Sequence, residues 1–416
     1  MKSRRYYFLG TATASIGEKE YRTLWERSLE WQVVCLVGNS TRPGTGLLNS
    51  LFDDVDQVLS IPHFREKVAW DYLDFDGTFE DLAERFLARN PEFFSSHLLS
   101  IERFDQLGTN ADLSIKVDPS LFKDHLGNLL RLDGYVDQDS LFRFIHIAYS
   151  LSIGTFDELM RKKIIFYHSH TVLHTEQVCG FLREVKTIFM NRNPVNGIAR
   201  MFEARTKNLE KTWSINQVDS KRNDIDLHYF FYQIVRNVFQ DVYCLHNLKN
   251  DIYVVAYEVL HESPEGVISE LCTRLGIEFD KKFLGSTFWG FSWGGDSGSE
   301  GLLYRFNDNP REDKCSSFFL KFEAELIEYI LQERITRYRI HRNCDKKFKF
   351  LFNKFLVGFL VFIPLKFELC ELKKIKILSL SSVYRWLRLY WWRVKLMLIQ
   401  LYGKENVLKN VVIIKG

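Results

Sequence analysis

The stretch Val33-Val34-Cys35-Leu36-Val37-Gly38-Asn39-Ser40-Thr41-Arg42-Pro43-Gly44-Thr45-Gly46-Leu47-Leu48 decides how this chain is read. Five apolar residues run into a loop of small residues, and the loop opens into a helix-like segment. A continuous apolar run of this kind suits a strand buried on both faces, as in a parallel sheet covered by helices. Gly38, Gly44 and Gly46 permit a tight loop with converging N–H groups, and a helix starting near Thr45 adds the positive end of its dipole. The result is an anion cradle with Arg42 as a fixed cationic fork. A nucleoside-triphosphate loop of the usual kind also carries Lys followed by Ser or Thr, and that pair is absent here.

Working outward, four more short β-branched or aromatic runs read as strands beside Gln32 to Val37: Val55 to Ile61, Lys163 to Tyr167, Lys186 to Met190 and Ile252 to Ala256. Helix-like segments separate them, at Leu47 to Phe52, in pieces from Phe79 to Leu159, at Pro194 to Leu209, Leu227 to Asn247 and Glu265 to Leu275. The alternation predicts an α/β fold in three layers, a parallel sheet with helices on both faces. Residues 68–161 form a polar, helix-rich insert between the second and third strands, expected to cap the sheet's C-terminal edge on the acceptor side. Ligands of open α/β sheets bind at that edge.

A second strand-to-helix passage is Lys186-Thr187-Ile188-Phe189-Met190-Asn191-Arg192-Asn193-Pro194-Val195-Asn196-Gly197-Ile198-Ala199-Arg200. Pro194 suits the first helical turn, and an Arg at a strand end beside a helix start is a natural phosphate ligand.

With both motifs in order, the sequence resembles the sulfotransferases that use 3′-phosphoadenylyl sulfate (PAPS), whose fold is akin to that of P-loop NTPases. Arg42-Pro43-Gly44-Thr45-Gly46-Leu47-Leu48 looks like the second half of the family's 5′-phosphosulfate loop, and Arg192-Asn193-Pro194 like the head of its 3′-phosphate motif. The resemblance implies that Arg42, Pro43, Gly44, Thr45, Gly46 and Leu47 hold the 5′-phosphate and sulfonate, and that Arg192 takes the 3′-phosphate. Two positions depart from the family pattern: Gly46 replaces a hydroxyl residue, and Arg200 stands where a Ser is usual, its guanidinium a further candidate ligand for the cofactor's 3′-phosphate. Tyr253 to Ile277 is similar to the family's strand followed by Tyr-Glu-x-Leu and a Leu-Gly helix end, so Tyr257 is expected on the adenosine side. Ser286 to Gly295 resembles the loop whose Thr and aromatic residues surround adenine, which points to Thr287, Phe288 and Trp289. Sulfonyl transfer needs a base for the acceptor hydroxyl. His170, His63 and Glu66 compete for that role, and His168 stands where the cytosolic enzymes place a Lys near the sulfonate. No metal is required, and His168, His170 and His174 have no patterned carboxylate partner.

The chain's 416 residues carry 56 basic and 53 acidic side chains, a net charge of +3, with 46% hydrophobic residues. That composition excludes a disordered or fibrous chain. The balance conceals a division at Asp345. From residue 346 to 416 there are 15 basic and 3 acidic residues, so the tail carries +12 and the preceding body −9. The expected organisation is therefore a sulfotransferase domain over 1–345 and a basic, aromatic helical tail over 346–416. Within the tail, Tyr384 to Leu401 reads as a cationic, Trp-rich amphipathic helix, which predicts peripheral attachment to an anionic membrane surface. No recognition motif for nucleic acid accompanies the charge. Seven scattered cysteines without a C-x-x-C pair suit a reducing compartment. No leader is read at the N-terminus, and the longest uncharged apolar run, Phe355 to Leu365, has eleven residues, against about 20 for a spanning helix. Together these features predict an enzyme on the cytoplasmic side of a membrane, sulfonating a glycan or glycolipid. The alternatives are a P-loop phosphotransferase and an inactive membrane scaffold that keeps the fold.

Overall fold

Strand β2 (Gln32–Gly38) lies inside a six-stranded sheet of the computed structural model, and every neighbouring pair in that sheet is parallel. The order is β10 (Val411–Ile413), β7 (Ile252–Ala256), β6 (Val185–Asn191), β2, β5 (Ile164–His168) and β3 (Val58–Ser60). The structure describes residues 5–9, 16–38, 43–62, 78–99, 103–132, 136–169, 172–202, 248, 250–295, 306, 318–331, 354–374, 380–402 and 411–415. The five strands expected from sequence are present. The second is shorter than its apolar run, because a turn in which the Val58 N–H donates to the Val55 carbonyl at 2.9 Å takes its first residues.

Alternate strand residues feed opposite layers, as the pleat requires. On one face Val34, Leu36, Phe166, Ile188, Met190 and Val255 share a core with α2 (Thr45–Leu51), α8 (Tyr257–Glu262) and α9 (Pro264–Leu275). On the other face Val33, Cys35, Ile165 and Tyr167 pack with the insert helices α3 (Phe79–Arg89), α4 (Pro119–Leu130) and α5 (Gln138–Leu151). The insert is thus less polar than its composition suggests, and part of it covers a face of the sheet. From Asp139 to Leu151 helix α5 is buried on every side, and it belongs to the layer that covers the sheet. Asp137 caps its start by accepting the Ser140 N–H at 2.8 Å. Buried Arg143 donates through Nε to both Asp139 oxygens, at 3.1 and 3.2 Å, and through Nη1 to the Trp31 carbonyl, fastening the helix to the entry of β2. The insert also holds β4 (Leu113–Val117), which pairs in parallel with β1 (Arg5–Leu9).

The charge division at Asp345 is not a division of the fold. Strand β10 lies in the basic segment and completes the sheet beside β7. Residues Val357, Val361 and Leu365 of or just after α11 (Lys354–Leu360), and Val394, Met397 and Leu401 of α13 (Leu380–Tyr402), share a core with Phe189 and Val254 of the sheet. Helices α10 (Lys321–Ile330) and α12 (Lys366–Lys374) lie in the same part of the chain. The described part of the basic segment is thus a helical layer over β6 and β7. No helix among the described residues is long and apolar enough to cross a membrane.

Candidate functional site

Parallel strands deliver their C-terminal ends to one edge, here Gly38, His168, Asn191 and Ala256. Gly38 is registered opposite Met190, so the two strand-to-helix motifs emerge side by side. The first loop doubles back on its own start. A Cβ on Gly38 would lie 2.2 Å from Pro43 Cγ and 2.8 Å from Thr45 Cγ2, so only glycine fits there. Gly44 precedes α2 with φ of 92°, a left-handed conformation that glycine adopts without strain. A Cβ on Gly44 would come within 2.7 Å of Tyr257 Cδ2 and 3.1 Å of its Cε2, so the Tyr257 ring lies close against the loop backbone.

The second motif reaches the same ring. Arg192 follows β6 and is only 6% exposed, and its guanidinium carbon lies 4.2 Å from the centroid of Tyr257. A desolvated cation over an aromatic face is held by about 2 kcal/mol or more. Neighbouring contacts fix the backbone around Arg192. Asn193 caps the helical residues 194–202, its Oδ1 accepting the N–H groups of Val195 and Asn196 at 3.0 and 3.1 Å. The Asn193 N–H donates to Glu258 Oε1 at 3.1 Å, and its Nδ2 donates to Glu328 Oε1 at 3.1 Å. Behind Tyr257 stands His261, with ring centroids 4.3 Å apart and the planes steeply inclined. Burial and the nearby Arg192 push the His261 imidazole down to about 4, so it is neutral at pH 7. Local positive charge at neutral pH therefore comes from Arg192 and not from His261. Neither Glu258 nor His261 was legible as part of a site, although Glu258 belongs to the Tyr-Glu-x-Leu run quoted for its resemblance.

Pro43 is buried, while Gly44 through Leu47 are half-exposed along the first turn of α2. At position 46 an added Cβ would meet Trp293 Cη2 at 3.4 Å, close to ordinary van der Waals contact. Arg200 is half-buried in the second turn of residues 194–202. His168 ends β5, half-buried and paired in register with Leu36, and the Ser169 N–H after it donates to the Leu36 carbonyl at 2.7 Å. Arg42, His63, Glu66 and His170 lie outside the described residues. Among the described residues no group of three His, Cys, Asp or Glu side chains is placed to hold a metal ion.

Phe288 and Trp289, which the resemblance implied lie around adenine, are buried side chains. The hairpin of β8 (Thr287–Phe288) and β9 (Phe291–Ser292) turns both rings into the core. Phe288 packs on Phe104 at 4.5 Å and on Trp293 at 4.9 Å between centroids. Trp289, 9% exposed, donates from Nε1 to Tyr149 Oη at 2.9 Å. These rings anchor the insert on the hairpin. Thr287 is half-exposed, and its hydroxyl bonds Asp53 at the end of α2. Asp53 also accepts the Gly290 N–H at 2.9 Å, and Ser50 and Ser286 share a hydrogen bond of 2.7 Å. The hairpin is thereby strapped to the helix that the anion loop opens.

No family model matches the chain, and no curated protein sequence matches it. Among solved structures, it is similar to the sulfotransferase domain of the olefin synthase from Synechococcus PCC 7002, with 15% identity, coverage of 74% of this chain and 95% of that one, and a TM-score of 0.42. The sulfotransferase domain from the curacin biosynthetic pathway is similar at 14% identity, with coverages of 73% and 98% and a TM-score of 0.36. A sulfotransferase from Mycobacterium avium is similar at 11% identity, with coverages of 78% and 80% and a TM-score of 0.41.

Proposed function

We propose that this protein transfers a sulfonate group from PAPS to a hydroxyl of a glycan or glycolipid. The observation that carries the proposal is the meeting of both motifs on Tyr257 at the sheet's C-terminal edge, with the Gly44 backbone close beside the ring and the buried Arg192 guanidinium 4.2 Å from its centroid. A glycine loop suited to one phosphate and a buried cation suited to a second phosphate share one aromatic ring between them. A donor with a 5′-phosphosulfate and a separate 3′-phosphate suits two such anion-binding elements, whereas a nucleoside triphosphate carries its charge in one chain at the loop.

In the reaction, the acceptor oxygen attacks sulfur and forms the new S–O bond. The bond from sulfur to the bridging phosphate oxygen breaks, and its electron pair leaves with 3′,5′-ADP. The acceptor proton passes to a base, for which His170, His63 and Glu66 are the candidates. Arg42 and the amides of residues 44–47 are assigned to the charge that develops on the leaving oxygen. Arg192 is assigned to the 3′-phosphate, with His168 near the transferring group.

Calorimetry with 3′,5′-ADP and with ATP and Mg²⁺ tests the reading. Tight binding of 3′,5′-ADP alone is the expected result, and Arg192→Ala is expected to abolish it in a protein that still unfolds cooperatively, less stable by about 2 kcal/mol through the lost contact with Tyr257. Binding of ATP and Mg²⁺ instead would indicate a phosphotransferase, and binding of neither an inactive scaffold. Undiminished affinity in Arg192→Ala removes Arg192 from the site.

A further inference from the structure

We infer that the outer face of α11, α12 and α13 docks this protein on an anionic lipid surface. Among the described residues 19 large hydrophobic side chains are exposed, and 12 of them fall between Leu356 and Tyr402. Exposed apolar residues scattered singly need no explanation, but a concentration of this kind marks an interaction face. Helix α13 has two apolar sides. Its inner side, with Val394, Met397 and Leu401, is consumed by the core over β6. Its outer side presents Tyr384, Leu387 and Trp391 at helical spacing, Tyr384 at 70% and Trp391 at 55% exposure. The Phe362 ring, just beyond α11, stands 6.1 Å from Trp391, so the outer faces of the two segments are continuous.

This face is held in shape. Arg393 of α13 makes a two-pronged pair with Glu368 of α12, Nε to Oε1 at 2.8 Å and Nη2 to Oε2 at 3.0 Å, and its Nη1 donates to the Val361 carbonyl at 2.7 Å. The Trp386 Nε1 donates to the Glu368 carbonyl at 3.1 Å. With Glu368 and Arg393 buried against each other, the exposed charges among the described side chains of these helices are Lys373, Arg388 and Lys395, all cationic.

Aromatic residues rimmed by cations fit the boundary between headgroups and acyl chains, where Trp and Tyr settle and each basic residue adds attraction to anionic lipid. A second protein surface is the competing occupant, and the cation type argues against it. Residues 346–416 hold 12 Lys and 3 Arg, and one of the Arg is the buried Arg393. Protein interfaces are enriched in Arg and depleted in Lys, whereas a lipid surface attracts either as a point charge.

Flotation of the full-length protein tests the inference, with vesicles of phosphatidylcholine alone and of phosphatidylcholine with phosphatidylserine. Flotation with the anionic vesicles at low salt, with release at high salt, is expected. Leu387→Glu is expected to weaken partitioning by about tenfold or more, and so is the pair Arg388→Glu with Lys395→Glu. Both variants are expected to keep the parent's unfolding midpoint. Affinity for 3′,5′-ADP is measured in the same samples, so that failure of the donor reading is seen separately from failure of docking. Absence of flotation with anionic vesicles overturns the inference, and so does flotation that Leu387→Glu leaves unchanged. A dimer in sedimentation that Leu387→Glu disperses, without vesicle binding, assigns the face to a second copy and overturns it equally.

Discussion

Two aromatic stretches, Phe288 to Trp293 and Trp386 to Trp392, look alike in composition and meet opposite fates. The first is a hairpin whose rings are drawn into the core, with Phe288 and Trp293 packed on each other and the Trp289 N–H satisfied by Tyr149. The second is one stripe of a long helix, and a helix has room for two faces. Trp386 turns inward to the Glu368 carbonyl, while Trp391 and Trp392 stay exposed. Burial of an indole thus follows the availability of an acceptor for its N–H and of facing apolar surface, not the density of aromatic residues in the sequence.

The most severe way to break this contrast is Trp289→Ala. Removing a buried indole is expected to cost about 3–5 kcal/mol, to which the Tyr149 hydroxyl adds a lost donor. Urea unfolding should show the midpoint falling by that equivalent. Trp289→Phe keeps the ring volume in part and isolates the hydrogen bond, for an expected loss of roughly 1–2 kcal/mol. A change near zero in Trp289→Ala would mean that the hairpin is not packed as described.

A smaller effect comes from the strap between the hairpin and α2. Burial is the main force that pushes the Asp53 carboxyl from 3.8 up to about 6, against the Gly290, Thr287 and Trp289 hydrogen bonds that favour its ionised form. Its folded pKa lies above its unfolded one, so between pH 3.8 and 6 the folded state holds a proton that the unfolded chain has lost. The stability this adds is complete below pH 3.8 and disappears as the pH rises through 6, a span of roughly 3 kcal/mol. His146 and His261, both held down near 4, act with the opposite sign over much of the same range. The quantity to measure is therefore the difference between the parent and Asp53→Asn. The parent's advantage should shrink by that amount from pH 4 to pH 6.5, and a difference that is flat with pH would place Asp53 in water.

The sequence was most informative where local chemistry dictates the structure. Continuous apolar runs located five of the six strands of the main sheet, and the glycines and Pro194 marked the two loops that the register brings together. Strand β10 escaped because Val411 to Ile413 gives only three residues of signal, and its place beside β7 rests on contacts with a distant part of the chain. The insert was misjudged for a related reason. Its helices carry enough charge to read as polar, yet Arg143 and Asp139 neutralise each other inside the core, which composition does not reveal. That the Phe288 and Trp289 rings turn inward was not legible, because strands of two residues are too short for alternation to show it.

The sharpest form of the comparison is also its smallest effect, Trp391→Ala. Trp391 touches Tyr390 and Phe362, at 5.6 and 6.1 Å between centroids, both in inclined geometry. Such edge contacts on a half-exposed ring are expected to contribute about 1 kcal/mol or less, against about 3–5 kcal/mol for Trp289. Urea unfolding of the two alanine variants side by side measures the ratio. A loss in Trp391→Ala equal to that in Trp289→Ala would mean that the outer face of α13 is packed within the fold. A small loss leaves the indole exposed to water at little benefit to folding, which is the arrangement expected of a residue whose apolar surface is buried only when a partner surface arrives.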